Sequence, residues 1–297
     1  MKAGFVALVG RPNAGKSTLL NRFAGQKIAI VSDKPQTTRH RITGVRHTAA
    51  GQMVFVDTPG IHKPVHRMNQ RMVEAATAAL READVIVLVV DATERPGRGD
   101  QFVADLVRRS ARPVVVALNK VDLVHKPALL PLMAYYGAIE ARAIVPVSAA
   151  KGEGVPVLEA EILAALPEGE PLYPAEYFTD QTERTLAAEL VREKVLRHTH
   201  DELPYSTAVV IDRFEEPERE GGLTRIFASI LVDHDSQKPI VVGKGGAMIK
   251  RIGTEARRDL EQMLGGQVHL ELHVKVRSDW RDNERLLDEM GLGGRRP

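Results

Sequence analysis

Apolar and polar positions follow two different patterns along the chain, and the change falls near residue 167. Before it, short runs of valine, isoleucine and leucine alternate with segments of helix length. Several of these runs are apolar throughout, as expected for parallel strands that helices cover on both faces. The pattern predicts a doubly wound α/β domain with a mostly parallel sheet, with strands at 5–9, 53–57, 85–91, 113–119 and 144–147.

A proline-rich segment, PEGEPLYP at 167–174, separates the two patterns. Proline lacks a backbone donor and stops helices, so this composition is typical of a linker. We therefore predict a first domain at 1–168, a linker at 169–180 and a second domain with a C-terminal tail at 181–297.

The second domain has a different order of elements. A polar helix is predicted around 182–197, followed by strands around 207–213 and 225–232, another helix and a last strand. That last strand alternates strictly from 267 to 277, with valine or leucine at every second position, so one of its faces is buried. The second domain is predicted to be α+β.

Composition narrows the class of protein. The chain has 297 residues, of which 27% are charged and 43% hydrophobic, and its apolar runs are shorter than the roughly 20 residues of a membrane helix. The N-terminal apolar stretch is too short for a signal peptide, so we expect a cytoplasmic protein. The absence of cysteine excludes disulfides and thiolate chemistry, and it agrees with a reducing compartment.

Charge is unevenly distributed although the net charge is only +2. Residues 1–47 contain nine lysines and arginines against one acid, Asp33. A second basic cluster lies near the C-terminus, at Lys244, Lys250, Arg251, Arg257 and Arg258. Local clusters of this kind attract phosphate groups even when the whole chain is close to neutral.

The first basic cluster contains a phosphate-binding motif. GRPNAGKS at 10–17 matches GxxxxGKS and stands between a predicted strand and a predicted helix, as this motif requires. Its glycines let backbone N–H groups point at phosphate oxygens. Lys16 is the candidate to neutralise the β and γ phosphates, and Ser17 is the candidate ligand of Mg²⁺. The motif alone does not separate ATP from GTP.

Three further motifs follow predicted strands in the order that a nucleotide site needs. They are DTPG at 57–60, NKVD at 119–122 and SAAKGEG at 148–154. The carboxyl ends of parallel strands form the ligand-binding edge of such a sheet. Asp57 is predicted to hold a Mg²⁺-bound water, and the N–H of Gly60 is predicted to sense the γ-phosphate.

Together these motifs resemble those of the translation-factor-related P-loop GTPases, over about the first 165 residues. The resemblance implies that the Asp122 carboxylate accepts hydrogen bonds from guanine, which gives a preference for GTP over ATP. It also implies a Mg²⁺ ligand in the first switch, QTTRH at 36–40, where we favour Thr38 over Thr37. The predicted nucleotide contacts are Gly10, Arg11, Pro12, Asn13, Ala14, Gly15, Lys16, Ser17, Thr18, Asp57, Thr58, Pro59, Gly60, Asn119, Lys120, Asp122, Ser148, Ala149 and Ala150.

The expected reaction is in-line attack of water on the γ-phosphate, assisted by Lys16, Thr38, Gly60 and Mg²⁺. Many relatives carry a glutamine after the DxxG glycine to orient the water, but this chain has Ile61. Slow intrinsic turnover is therefore expected. Asn13 matches a pattern of potassium-stimulated members, which makes it a candidate K⁺ ligand; a turn residue is the alternative.

The second basic cluster contains GKGG, at Gly243, Lys244, Gly245 and Gly246, ahead of a predicted amphipathic helix. This string resembles the GxxG loop of KH domains, which clamps the backbone of single-stranded RNA. The element order is that of a type II KH domain. Lys250 and Arg251 complete the predicted RNA-binding set.

Over its full length the chain resembles the Era family, bacterial GTPases of small ribosomal subunit assembly. The resemblance implies binding of small-subunit ribosomal RNA near its 3′ end, association with the small subunit, and peripheral contact with the cytoplasmic membrane. The terminal Arg295 and Arg296 are too few to form a membrane anchor by themselves.

Two alternatives differ in class. One is an RNA-binding scaffold in which GTP only stabilises the fold, and the other is a P-loop phosphotransferase. NKVD and DTPG argue against the phosphotransferase.

Overall fold

The computed structural model describes residues 1–34, 37–60, 67–200, 203–217, 219 and 221–290. Two compact units divide the chain between Asp180 and Gln181. The first unit contains a six-stranded sheet in the order β2-β3-β1-β4-β5-β6, which is parallel except for β2. The predicted fold class, a doubly wound and mostly parallel sheet followed by an α+β domain, is confirmed.

The strands of the first unit are β1 Lys2–Val9, β2 Ile42–His47, β3 Gly51–Asp57, β4 Val85–Asp91, β5 Val114–Asn119 and β6 Ala143–Pro146. Its helices are α1 Lys16–Ala24, α2 Arg67–Glu82, α3 Arg98–Arg108, α4 Leu129–Gly137 and α5 Val155–Ala165.

Alternate residues of each strand supply two separate cores. In β1, Val6 and Leu8 pack with α1 and α5, whereas Ala7 and Val9 pack with α2, α3 and α4. Both faces of the sheet are therefore covered, which explains why the strand sequences are apolar throughout.

Strand β2 was not predicted from the sequence. It pairs antiparallel with β3 at the edge of the sheet, and its ITGVRH sequence is too polar to stand out as a buried strand. Gly44 is required there because a Cβ atom would lie 2.7 Å from side-chain carbons of both Leu20 and Ile28.

Residues 169–180 lie along this edge of the first unit. The Gln52 side chain accepts hydrogen bonds from the backbone N–H groups of Leu172 and Tyr173 at 2.7 and 3.0 Å. Phe178 O accepts from Val45 N at 2.8 Å, and the Thr179 hydroxyl donates to Thr43 O at 2.7 Å. Residues 169–180 are thus held to the sheet mainly by side-chain hydrogen bonds of Gln52 and Thr179, together with one backbone bond at Phe178.

The second unit has a three-stranded sheet in the order β7-β8-β9, with β9 parallel to β8 at one edge. Its strands are β7 Ala208–Glu215, β8 Leu223–Val232 and β9 Gln267–Val276. Its helices are α6 Glu183–His198, α7 Leu203–Ser206, α8 Lys238–Val242, α9 Ala247–Leu264 and α10 Glu284–Glu289. Helices α6 and α9 cover one face of the sheet, around a core that includes Val191, Ile230 and Ile252.

Candidate nucleotide and RNA sites

The loop between β1 and α1 has the backbone of a phosphate cradle. Asn13 and Gly15 have positive φ angles of 63° and 95°. A Cβ atom at Gly10 would lie 2.2 Å from Val89 O, and one at Gly15 would lie 2.1 Å from the Asn119 amide nitrogen. Glycine is therefore obligatory at both positions, and the loop is packed tightly against the ends of β4 and β5.

Lys16, at the first position of α1, is 6% exposed. Its ammonium group donates to the carbonyl oxygens of Gly10 and Arg11 at 3.2 and 3.0 Å. Burial lowers the pKa of Lys16, although the nearby charge of Asp57 opposes this shift. A buried cation bonded only to neutral carbonyls in this loop is suited to receive phosphate oxygens.

Ser17, Thr38 and Asp57 bring three oxygen ligands to one point. The Ser17 hydroxyl donates to Asp57 Oδ2 at 2.7 Å, and the Thr38 hydroxyl donates to the same oxygen at 3.0 Å. The two hydroxyl oxygens are 2.8 Å apart. Hydroxyl and carboxylate oxygens are the donor set that Mg²⁺ prefers.

The burial and hydrogen bonding of the Asp57 carboxylate fit the binding of a cation at this point. Its Oδ1 is buried without a hydrogen-bond partner, and burial raises the pKa of the carboxyl group against the opposing effect of Lys16. A divalent ion beside the cluster would compensate this buried carboxylate. The predicted choice between the two switch threonines also has a geometric basis, because the Thr37 hydroxyl donates instead to Lys34 O at 2.6 Å.

The remaining DTPG residues have different surroundings. Thr58 is fully buried and donates to Leu8 O at 2.9 Å, so its hydroxyl holds β3 to β1. Pro59 is buried beside it. A Cβ atom at Gly60 would lie 2.8 Å from Pro12 Cγ, so this glycine packs directly on the phosphate loop. Ile61 lies outside the described residues.

The NKVD residues connect the loops of the site. The Asn119 side chain donates to Ala14 O at 2.8 Å and accepts from Ala149 N at 2.9 Å. Lys120 pairs with Asp91 at the end of β4. Burial of Asp91 works against ionisation, but hydrogen bonds from Lys120 and Thr93 prevail and lower its pKa. Asp122 is 11% exposed at its side chain, with Lys151 Nζ 4.0 Å away.

The SAAKGEG loop closes the same side. Ser148 is fully buried, and its hydroxyl accepts a hydrogen bond from Lys151 N at 3.1 Å. Arg22 of α1 donates to Ala149 O at 3.1 Å and also to Ala150 O. The loop is thereby fixed to the helix that follows the phosphate loop.

A cavity of about 500 Å³ lies over the phosphate loop, the first switch and the end of β4; Lys120 of NKVD also lines it, whereas Asp122, Ser148, Ala149 and Ala150 do not. It is lined by predicted residues, among them Pro12, Asn13, Lys16, Ser17, Thr18, Thr38 and Gly60. Arg11 is directed elsewhere, with its guanidinium 2.9 Å from carboxylate oxygens of both Glu94 and Asp100.

Sequence reasoning missed seven residues of the cavity wall: Ile30, Val31, Ser32, Asp33, Asp91, Thr93 and Glu94. Asp91 could have been found, because it ends a strand at the same edge of the sheet as Asp57 and Asn119.

In the second unit, the GKGG string forms a turn between α8 and α9. Gly243, Gly245 and Gly246 have φ angles of 74°, 59° and 80°. A Cβ atom at Gly243 would lie 2.6 Å from Met248 Cβ, whereas one at Gly245 or Gly246 would meet no atom within 4 Å. Two glycines of the turn thus leave its outer surface open to a ligand backbone. Lys244 lies in the same turn and is exposed.

Beside the turn, a groove of about 390 Å³ lies between α9 and β9. Lys250 lines it, and Arg251 lies next to it on α9, 3.3 Å from Glu255. The other lining residues were not predicted as RNA contacts and include Ile249, Thr254, Arg257, Leu270 and Leu272.

The chain is similar to known proteins over both of its units. Residues 5–120 match the family described as 50S ribosome-binding GTPase, and residues 202–281 match the KH domain family. GTPase Era of Geobacter metallireducens is 50% identical over 291 residues, which cover 98% of this chain and 97% of that protein.

Two solved structures cover 99% of this chain and 100% of their own chains at 42% identity. One is Era in complex with MgGDPNP and nucleotides 1506–1542 of 16S ribosomal RNA, with a TM-score of 0.95. The other is an Aquifex aeolicus Era variant bound to GDP·AlF4⁻, with a TM-score of 0.93. With its phosphate loop, guanine motif and KH domain in one chain, the protein belongs to the Era family of GTPases, enzymes that hydrolyse GTP.

Proposed function

We propose that this chain is a Mg²⁺-dependent GTPase that binds the 3′ region of 16S ribosomal RNA and acts as a nucleotide-controlled factor in small-subunit assembly. GTP binding is assigned to residues 1–168 and RNA binding to residues 181–297. The observation that best supports the proposal is that the Thr38 hydroxyl, from the first switch, contacts Ser17 and Asp57. Because of this contact, the position of the switch depends on which ligand is bound between the phosphate loop and β3.

The protein groups have distinct roles in hydrolysis of GTP to GDP and phosphate. Lys16 and the N–H groups of the phosphate loop stabilise negative charge on the transferred phosphoryl group. Ser17 and Thr38 are assigned as Mg²⁺ ligands, and Asp57 holds a Mg²⁺-bound water. The ion supplies charge neutralisation to the phosphates when bound. Gly60 packs on Pro12 of the phosphate loop, and its backbone N–H is assigned to contact the γ-phosphate.

The groove between α9 and β9, the KH groove, is the proposed RNA site. Its turn offers Gly245 and Gly246 to the RNA backbone, and Lys244, Lys250 and Arg251 supply cations at the same edge. Apolar Ile249, Leu270 and Leu272 form a floor on which unstacked bases can lie.

The small subunit is preferred over the large one as the partner. The family description that names the 50S subunit matches only residues 5–120, which precede the KH domain. The Era complex that contains 16S RNA matches 99% of this chain. The RNA is therefore assigned to the KH domain and to the small subunit.

A K⁺ ion is proposed as a second cofactor near Asn13. The Asn13 amide nitrogen donates to Asp33 O at 2.6 Å, which fixes the side chain at the phosphate loop, and the amide oxygen is the candidate ligand for the ion. Faster GTP hydrolysis in KCl than in NaCl, lost in Asn13→Ala, is the expected result.

The proposed location is the cytoplasm, with peripheral membrane contact that rests on the family resemblance alone. Within the described ranges no helix is long and apolar enough to cross a bilayer. Arg295 and Arg296 lie outside the described residues. Flotation of the protein with vesicles rich in anionic lipid tests the membrane contact directly.

The deciding experiment measures binding of a single-stranded RNA from the 16S 3′ end in the presence of GDP or a GTP analogue. The proposal expects RNA affinity to differ between the two nucleotide states. Lys16→Ala is expected to abolish hydrolysis while RNA binding in the absence of nucleotide persists. Identical RNA affinity in both states would favour a scaffold that GTP merely stabilises.

A further inference from the structure

A second cavity, of about 410 Å³, lies beside the groove between α9 and β9. The two cavities share Arg257 and Leu270 as lining residues. The groove begins near the GKGG turn, at Ile249 and Lys250, whereas the second cavity lies near the end of α9, at Glu261. At about 3.3 Å per strand residue, the two cavities together follow roughly 17 Å of β9.

The second cavity passes around the edge of the sheet. His269 and Leu270 both line it, although consecutive strand residues point to opposite faces. Because β9 is an edge strand, no further strand blocks this passage within the described part of the second unit. A ligand that leaves the groove on the helix side can therefore reach the outer face of the sheet without a break in contact.

Two aromatic rings and a guanidinium group lie on that outer face. The His269 side chain is 52% exposed, and its ring centroid lies 6.1 Å from that of Phe227. The Arg213 guanidinium lies 4.3 Å from the Phe227 ring centroid. Leu223, which is 42% exposed, adds an apolar wall. Aromatic rings and guanidinium planes are the surfaces on which unpaired bases stack.

The second cavity has no excess of positive charge to suit a phosphate, because Arg257 and Glu261 line it together. Glu261 accepts a hydrogen bond from Val268 N at 3.4 Å and lies 3.8 Å from Arg257 Nε. Glu271, 4.0 Å from His269, lines the adjacent groove. Carboxylates repel phosphate but accept hydrogen bonds from the amino groups of cytosine, adenine and guanine. On the outer face, Arg225 stands next to His269 across β8 and β9 and supplies a cation for the backbone.

We propose that this second cavity is an additional RNA subsite, which stacks a base on His269 with its amino group toward Glu261. The base belongs to the same strand that the GKGG turn clamps, so the inference rests on the proposed RNA binding. It assigns to residues 223, 261 and 269 a part in selecting the nucleotide just outside the groove.

Binding of short labelled RNAs to the full-length protein tests the subsite. One RNA has about four nucleotides, the length that a GxxG loop clamps, and two others are extended by about three nucleotides at the 5′ or the 3′ end. One of the extended RNAs is expected to bind about fivefold tighter or more, because stacking of one base contributes on that scale. Uridine in the extension is expected to reduce the gain.

His269→Ala is expected to remove the gain and to leave the shortest RNA unaffected. His273→Ala is the matched control, since His273 is 56% exposed on the same face of β9, also contacts Glu271 and lines neither cavity. Absence of any gain on extension, or equal losses in both variants, overturns the subsite. Failure of every RNA to bind overturns the proposed RNA function itself, which is a distinguishable result.

Discussion

The side-chain amide of Asn119 donates a hydrogen bond to the carbonyl oxygen of Ala14 at 2.8 Å. Its Oδ1 accepts from Ala149 N at 2.9 Å, so one side chain at the end of β5 joins the phosphate loop to the loop after β6. Asn119 is 2% exposed, and water cannot replace either bond easily. The asparagine of NKVD thus fixes the geometry of the loops that surround the nucleotide.

Asn119→Ala is expected to weaken GDP binding by about tenfold or more. The substitution leaves two buried backbone groups without their partner, at a cost of roughly 1–3 kcal/mol each. Titration with fluorescent GDP measures the effect. Asn283→Ala, which removes the cap of α10 at Leu286 N, is the control and is expected to cost stability only. Unchanged GDP affinity in Asn119→Ala would contradict the bridging role.

Thr38→Ala and Ser17→Ala are expected to separate the two nucleotide states. Ser17 lies on the helix that follows the phosphate loop, so its loss is expected to weaken Mg²⁺-dependent binding of both GDP and a GTP analogue. Thr38 lies on the switch, so its loss is expected to weaken only the GTP analogue.

Thr37→Ala is the control for both variants, because the Thr37 hydroxyl donates to Lys34 O rather than to Asp57. Affinities are measured in Mg²⁺ and again in EDTA, where the differences are expected to shrink. A larger effect of Thr37→Ala than of Thr38→Ala would transfer the ligand role to Thr37.

Asp122→Asn is expected to change base preference from guanine to xanthine. By this assignment the carboxylate would accept hydrogen bonds from guanine N1–H and the 2-amino group, and an amide cannot accept both of these bonds. In xanthine an oxygen replaces the amino group, and the amide N–H can donate to it. The loss of GDP affinity is expected to reach about two orders of magnitude, with XDP gaining. Competition of the two nucleotides against a fluorescent analogue measures it, and a retained guanine preference would refute the assignment.

The nucleotide motifs could be predicted because each is a contiguous string at the end of a parallel strand. Their mutual geometry, such as the bond of Asn119 to Ala14, follows once the strands are adjacent. Residues that reach the site only through tertiary packing were missed. Glu94 is an example, since it follows β4 by three positions and carries no motif of its own.

Features at the edges of the two sheets could not be predicted from the sequence either. Strand β2 is stabilised by pairing with β3 and by residues 169–180, and neither neighbour can be inferred from the polar ITGVRH string. In the KH domain, Leu270 and Leu272 were predicted as buried strand residues because of their alternation. Both pack against the core of the second unit, and their position beside α9 at the sheet edge also makes them groove residues.

Gly243→Ala is expected to weaken RNA binding by about tenfold or more, whereas Gly221→Ala leaves it unchanged. Both glycines have φ angles near +75°, and Gly243 with ψ 171° is in a region that is essentially restricted to glycine, so both substitutions cost roughly 1–3 kcal/mol of backbone strain. Only at Gly243 does the new Cβ atom also meet a neighbour, at 2.6 Å from Met248 Cβ, while Gly221 has no atom within 4 Å. The clash must displace the GKGG turn from the start of α9.

RNA titration and thermal unfolding of both variants distinguish the two effects. Both variants are expected to lose stability, Gly243→Ala more because of its added clash, with the loss of RNA affinity confined to Gly243→Ala. If both variants bound RNA like the native protein, the geometry of the GKGG turn would not govern RNA binding. If both lost it equally, general destabilisation of the KH domain would be the cause.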